Sequence, residues 1–308
     1  MIIKVYKKHT KLMKIKEKCW LNKMQNDRNN EGVVGIVTAI LLVGLLVIVF
    51  SLIQTIYVPQ WMEEIESEHM DEVASQFSYL KFATDVQLQS SNSNLSISIP
   101  ITLGSDKIPY LLSERSYGDL DISSDSLTVT IQNDTNSYEY DLGMIQYSSR
   151  NSYFVDQTFS YELGAVIISQ HQGDFLSLSP FFSINKSQMI NISLTLVNIS
   201  SVGSKTSTSG HSTSSILTKY LSSYDQTITI DNITQIKINT VYPKSWRGFF
   251  NQTLEDEGLD YGLSSDYWIT YSKDDEWIII HFNTSENINS LNLSIKKISS
   301  QISPGWID

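Results

Sequence analysis

Nine asparagines stand two residues ahead of a serine or threonine: Asn94, Asn133, Asn185, Asn191, Asn198, Asn232, Asn251, Asn283 and Asn292. Such a triplet offers an amide nitrogen as acceptor for an oligosaccharide, wherever the chain meets that chemistry. The other groupings of reactive side chains read as structure. Glu63, Glu64, Glu66, Glu68, Asp71 and Glu72 are numerous enough for a cation, but no glycine-bearing loop of calcium type holds them, so they read as a solvated helix face. His9, His69, His171, His211 and His281 never fall at metal-ligand spacing and are expected as surface or packed side chains. His69, on an apolar stripe, has the alternative of a pH-sensitive contact. "VGSKT" at 202–206 lacks the earlier glycine and the lysine placement of a phosphate loop. There is no serine elbow, paired catalytic acid or nucleophilic cysteine, and the chain reads as a non-enzyme without cofactor or metal.

The sequons matter only if the chain leaves the cytoplasm, and one segment bears on that. From Val33 to Val58 there is no charged residue. At about 1.5 Å per residue a helix of that length exceeds the roughly 30 Å hydrocarbon core of a bilayer. Tyr57 and Trp61 follow, at the depth where aromatic rings favour the interface. Before the span stand nine basic residues against three acidic ones, a net +6. The positive-inside bias therefore predicts a cytoplasmic leader. The whole chain has 22 basic and 33 acidic residues, which leaves 13 and 30 from Gly32 onward, a net −17. An exterior this acidic argues against nucleic acid or an anionic membrane surface as partner. The single cysteine, Cys19, lies in the leader, so the exterior is expected to fold without a disulfide.

Past the span, Met62, Ile65, His69, Val73, Phe77 and Leu80 step by three or four, one stripe of an amphipathic helix, with a kink expected at Pro59. After residue 90 the period becomes two. Leu95 to Leu103, Leu127 to Ile131, Ile190 to Leu196, Ile228 with Ile230, Ile236 with Ile238, and Leu291 to Ile295 all read as half-buried strands. "WIIIHF" at 277–282 has the look of a strand buried on both faces, and turn residues such as "NDTNS" at 133 separate the elements. In "YPKSWRGFFNQTLEDEGL" Pro243 suits a first helical position, Trp246, Phe250 and Leu254 share a face, and Gly258 has the form of a C-cap. The Ser/Thr tract at 203–215 has no apolar anchor and reads as an exposed loop or as a linker between two β subdomains, the loop being preferred. The expected organisation is a basic leader at 1–32, a transmembrane helix at 33–58, a membrane-proximal amphipathic helix at 59–89 and an extracellular, mainly β, sandwich-like domain at 90–308 with one inserted helix.

A Lys-rich leader and then "EG" directly before "VVGIVTAILLVGLLVIVF" resembles the class III signal peptides of archaeal archaellins and type IV pilin-like proteins. "VGIVTAIL" at 34–41 is similar to the archaellin start, and the order of helix, β-rich head and "PKSWRGFFNQTLEDEGL" helix is similar to pilin-like surface proteins of methanogenic archaea. The chain departs from that pattern at Asn30, where a second charge is often found, and in its long leader and acidic helix. The resemblance implies that a prepilin-type peptidase recognises Glu31 and Gly32 and leaves Val33 as the new N-terminus. It also implies that the freed apolar helix exchanges membrane lipid for identical or related pilin-like subunits. A pilin-like subunit displaying a β head for adhesion or assembly is the expected function. The alternative is an uncleaved, anchored surface protein that binds glycan, cell-envelope layer or protein, with an anchored exoenzyme behind both.

Overall fold

The structure, a computed structural model, describes residues 2–90, 95–105, 116–186, 190–263, 265–283 and 290–303; the side chains of 2–12 and 25–33 lie outside that description. The sequon at Asn94 falls there too, as do the second and third residues of the one at Asn283.

The chain opens with helix α1 (Ile2–Leu52), passes through a π-helical turn (Ile53–Tyr57) and continues as α2 (Val58–Ser90). Proline at 59 has no N–H, and in a regular helix its ring would meet the carbonyl four residues earlier. The widened turn falls in that register: the Val58 N–H bonds to the Ile53 carbonyl, and Pro59 then sits in the first turn of α2. The irregularity expected at Pro59 thus lies just ahead of it. Compact units divide between Gln60 and Trp61, so most of α2 belongs with the strands that follow.

Those strands are β1 (Ser96–Thr102), β2 (Tyr117–Asn133), β3 (Ser137–Arg150), β4 (Gln157–Glu162), β5 (Ala165–Gln170), β6 (Gly173–Leu178), β7 (Phe182–Lys186) and β8 (Ile190–Ser201). Then come β9 (Ser207–Gly210), β10 (Thr213–Tyr220), β11 (Gln226–Asp231), β12 (Ile233–Asn239), helix α3 (Pro243–Asp256), β13 (Tyr267–Ser272), β14 (Trp277–Phe282) and β15 (Ser290–Ser303). They form two sheets. One has six strands in the order β1-β10-β15-β8-β7, with β11 also on β15; the other has nine in the order β13-β14-β12-β2-β3-β4-β5-β6, with β9 on β2. The β8–β15 pair is parallel and the remaining ladders are antiparallel.

Each long strand serves two apolar cores and changes parity between them. In β8, Ile190, Ile192, Leu194 and Leu196 belong to the core that α3 joins, whereas Val197 and Ile199 belong to the core that α2 joins. In β15 the switch runs from Leu291, Leu293 and Ile295 to Ile298 and Ile302, and in β3 from Leu142 to Ile145 and Tyr147. At this level the sheets come close. Asn198 bridges to β3, accepting from the Gly143 N–H and donating to the Asp141 carbonyl, both at 3.3 Å, and the Ser124 and Ser201 hydroxyls meet at 2.7 Å. Gly143 is required there, because a Cβ would overlap the carbonyl oxygens of Ile199 and Ser123.

Two strand expectations need correction. The Ser/Thr tract is neither loop nor linker for most of its length: Ser207–Gly210 pairs with β2 and Thr213–Tyr220 lies between β1 and β15. The anchors of β10, Ile216 and Tyr220, both lie beyond the end of the tract, and both are fully buried. "WIIIHF" is buried on one face, with Ile278, Ile280 and Phe282 inside and Trp277, Ile279 and His281 half-exposed.

Candidate functional site

The apolar helix is the feature with the plainest physical consequence. From Val34 to Phe50 every side chain is exposed, with Leu41 at 68% and Val34 at 63%. It is long and apolar enough to cross a membrane. Both of its threonine hydroxyls are satisfied internally: Thr38 donates to the Val34 carbonyl at 2.8 Å and Thr55 to the Ser51 carbonyl at 2.7 Å, the solution a helix needs where no water can reach. Glu31, Gly32 and Val33 lie within α1, whose backbone is helical without interruption across the expected leader boundary.

Beyond Trp61 the helix is a core element of the β unit. Met62, Met70, Val73, Phe77, Leu80, Ala83 and Leu88 are buried, which agrees with the stripe read from spacing except at Ile65, which is half-buried. Polar side chains on α2 also reach the strands. Gln76 both accepts from the Thr102 N–H and donates to the Thr102 hydroxyl, each at 2.8 Å. Gln87 donates to the Thr218 and Leu95 carbonyls at 2.9 and 3.1 Å, and Thr84 meets the Tyr161 hydroxyl at 2.9 Å. His69 is a packed side chain, its Nε2 at 2.9 Å from the Thr102 carbonyl and its ring edge-on to Tyr147.

The acidic cluster is not uniformly solvated. Glu63, Glu64, Glu68, Asp71 and Glu72 are exposed, but Glu66 is fully buried. Its carboxylate accepts three consecutive backbone N–H groups, from Ser152 at 3.0 Å and from Tyr153 and Phe154 at 2.7 Å each. The loop between β3 and β4 folds around it as a nest, which is how a buried carboxylate becomes tolerable.

A second buried carboxylate, Glu162 on β4, has no counterpart in the sequence reading. It accepts from the Trp246 indole N–H at 2.6 Å and the Thr240 hydroxyl at 2.8 Å, joining α3 to the sheet. Burial pushes its pKa above the usual carboxylate range, with the two donors opposing. Beside it the Tyr242 hydroxyl meets Ser160 at 2.8 Å and Gln146 at 2.9 Å. Helix α3 follows its expectation: Trp246, Phe250 and Leu254 are buried, and the Leu259 N–H to Leu254 carbonyl and Gly258 N–H to Glu255 carbonyl bonds close a Schellman motif at Gly258, whose φ is +76°. Its N-terminus has no cap of its own, and Asp174 of β6 supplies one, accepting from the Ser245 N–H at 3.1 Å and hydroxyl at 2.7 Å.

An open groove of about 430 Å³ runs along the outside of α3, with Lys244 and Arg247 toward one end, Glu255 and Asp256 toward the other, and Tyr271 under the Arg247 guanidinium. Cations and carboxylates are balanced there, and all four side chains are exposed. His171 and His211 are exposed, and His281 is stacked on Trp268 with burial lowering its pKa. Among the described residues no group of three or more His, Cys, Asp or Glu side chains could hold a metal ion. "VGSKT" precedes β9, and no helix follows it to present N–H groups to a phosphate.

The sequon asparagines are scattered over both sheets and α3. Asn185, Asn191 and Asn292 are exposed, whereas Asn133, Asn198, Asn232, Asn251 and Asn283 are half-buried. Together these features define a mainly β unit built around one end of a long helix whose other part is apolar and uncovered. Comparison with protein-family models, curated proteins and solved structures found no match.

Proposed function

We propose that the chain is a single-pass surface protein whose apolar helix lies in the cell membrane, with the leader cytoplasmic and the β unit outside, and that it acts as a pilin-like subunit displaying that unit for adhesion or assembly. The observation that carries the reading is the division of labour along the helical segment 34–90: uncovered and apolar before residue 58, and built into the β unit's own core after Trp61. While the leader is attached, its net +6 resists transfer of the helix out of the bilayer. After a prepilin-type peptidase cuts between Gly32 and Val33, the uncovered helix can trade lipid for identical or related helices. Gly35 and Ala39 provide a small-residue spacing at which helices approach closely.

The anchored, uncleaved reading has one observation in its favour: the Gly32–Val33 bond lies in unbroken helix, and a protease needs that turn unwound. Two experiments test the proposal. Protease added to intact cells should remove the β unit and spare the leader, and the reverse pattern overturns the orientation. Gly32→Leu should leave the leader attached, seen as slower gel migration than wild type. Equal mobility of the two with intact N-termini leaves the anchored protein.

A further inference from the structure

The nine sequons are not equivalent once their amides are placed. In Asn133, Asn198 and Asn251 the Nδ2 group donates to the protein: to the Asp231 carbonyl at 3.3 Å, the Asp141 carbonyl at 3.3 Å and the Glu255 carboxylate at 2.8 Å. A sugar on any of these nitrogens leaves one N–H and would have to be seated beside a contact that ties β2 to β11, joins the two sheets or runs along α3. Asn191 and Asn292 differ. Asn191 uses only its Oδ1, accepting from the Ser290 hydroxyl at 2.7 Å, and Asn292 likewise accepts from Thr229 at 3.1 Å. Among the described residues neither Nδ2 has a protein acceptor, and fixing the oxygen turns the nitrogen outward.

The strand period completes the site. In Asn191-Ile192-Ser193 and Asn292-Leu293-Ser294 the middle residue is buried in the core while asparagine and hydroxyl share the outer face. The two triplets are neighbours on adjacent parallel strands, with Asn292 opposite Ser193 and Ser290 opposite Asn191. The outward positions around them, Thr195, Thr227, Thr229 and Ser294, carry hydroxyls, and Asp231, paired with Ser290, places a charge at the edge. A groove of about 410 Å³ crosses this face, with Asn292, Ser193, Ser294 and Thr227 among its lining and Phe182 at its border. That volume is within the range of small-ligand sites, enough for the first sugars of a chain to lie against the sheet.

We infer that Asn191 and Asn292 are paired N-glycosylation sites that clothe the outer face of the six-stranded sheet. The inference rests on the external placement proposed above. The donor is a polyprenyl-phosphate- or diphosphate-linked oligosaccharide. Nδ2 attacks its anomeric carbon, a C–N bond forms, the C–O bond to the lipid phosphate breaks with its electron pair leaving on the phosphate, and the proton that Nδ2 gives up goes to the released phosphate. Transfer occurs before the strands pair, since a transferase must bend the triplet, and a chain modified where the amide is engaged does not reach the folded protein that is isolated. The fold then accommodates the product, because Oδ1 keeps its hydroxyl partner and the remaining N–H needs none.

The test is glycopeptide mass spectrometry on the full chain isolated from its native membrane, with a membrane-impermeant biotin reagent applied to the same cells beforehand. Peptides containing Asn191 and Asn292 should carry a glycan mass, and those containing Asn198 and Asn251 should not. Ser193→Ala with Ser294→Ala should abolish both modifications while leaving the amides untouched, and N191Q with N292Q should do the same. Labelling of the β unit with both sites unmodified overturns this inference and leaves the surface reading intact. A β unit that the reagent cannot reach, with unmodified peptides, overturns both. Glycan on Asn198 or Asn251 in the folded protein contradicts the sorting by amide engagement.

Discussion

Replacing Glu66 by alanine removes the acceptor of three backbone N–H groups at once, and the size of the effect follows from the nest. Hydrogen bonds to a charged group contribute about 1.5–3 kcal/mol each, but three sharing one carboxylate are not additive. Ser152 is exposed and Tyr153 and Phe154 are half-buried, so water can reach part of the abandoned loop. Glu66→Ala should therefore destabilise by about 2–4 kcal/mol, a large part of the stability of an ordinary domain. Glu66→Gln should fall between, because its amide oxygen still accepts while its NH₂ faces donors. Glu68, two residues on, is exposed, and Glu68→Ala should stay within about 0.5 kcal/mol of wild type. Urea unfolding of the full chain in detergent, followed by near-UV circular dichroism, measures all three. If Glu66→Ala and Glu68→Ala unfold at the same urea concentration, the nest contributes nothing and the reasoning from buried donors is wrong.

Glu162 sets a pH dependence of the opposite kind from an ordinary ion-paired carboxylate. Its raised pKa means that its contribution is full below the usual glutamate value and is lost as pH rises through the higher native value. Glu162→Gln keeps an acceptor for Trp246 and Thr240, so it should flatten the urea midpoint over that window and exceed wild type at neutral pH; a wild-type midpoint rising there contradicts the assignment. Gly143→Ala places a methyl group on two carbonyl oxygens and should cost about 1–3 kcal/mol by thermal denaturation, a neutral effect showing that the sheets are less closely apposed. A fragment starting at Trp61 should show cooperative unfolding, whereas one starting at Ser91 lacks Phe77 and Leu80, uncovers Ile99, Tyr147 and Phe159, and should bind hydrophobic dyes. Equal behaviour of the two fragments would remove α2 from the core.

What could be read in advance was whatever kept one period. The 62–80 stripe, the Pro243 helix with its Gly258 stop, and the strands at 127–131, 190–196 and 291–295 each hold a single phase along a single core. The same strands were missed where they change phase: Val197 and Ile199, or Ile298 and Ile302, sit on the other parity, and β3 changes over at Gly143, where a side chain cannot fit. Within the 203–215 tract, the strand residues 207–210 and 213–215 are not legible as such because small hydroxyl side chains carry little hydrophobic signal. Glu66 and Glu162 could not have been singled out by type. Each is buried because residues 86 and 84 positions away supply its donors, a coincidence only the fold creates.

The central claim is that this helix is released for assembly after passing through a membrane, and the N-terminus of the native chain tests it most directly. Mass spectrometry of the protein isolated from its own cells should find a first residue at Val33 in the surface fraction. A first residue within the basic leader, on chains recovered from that same fraction, would contradict the pilin-like account.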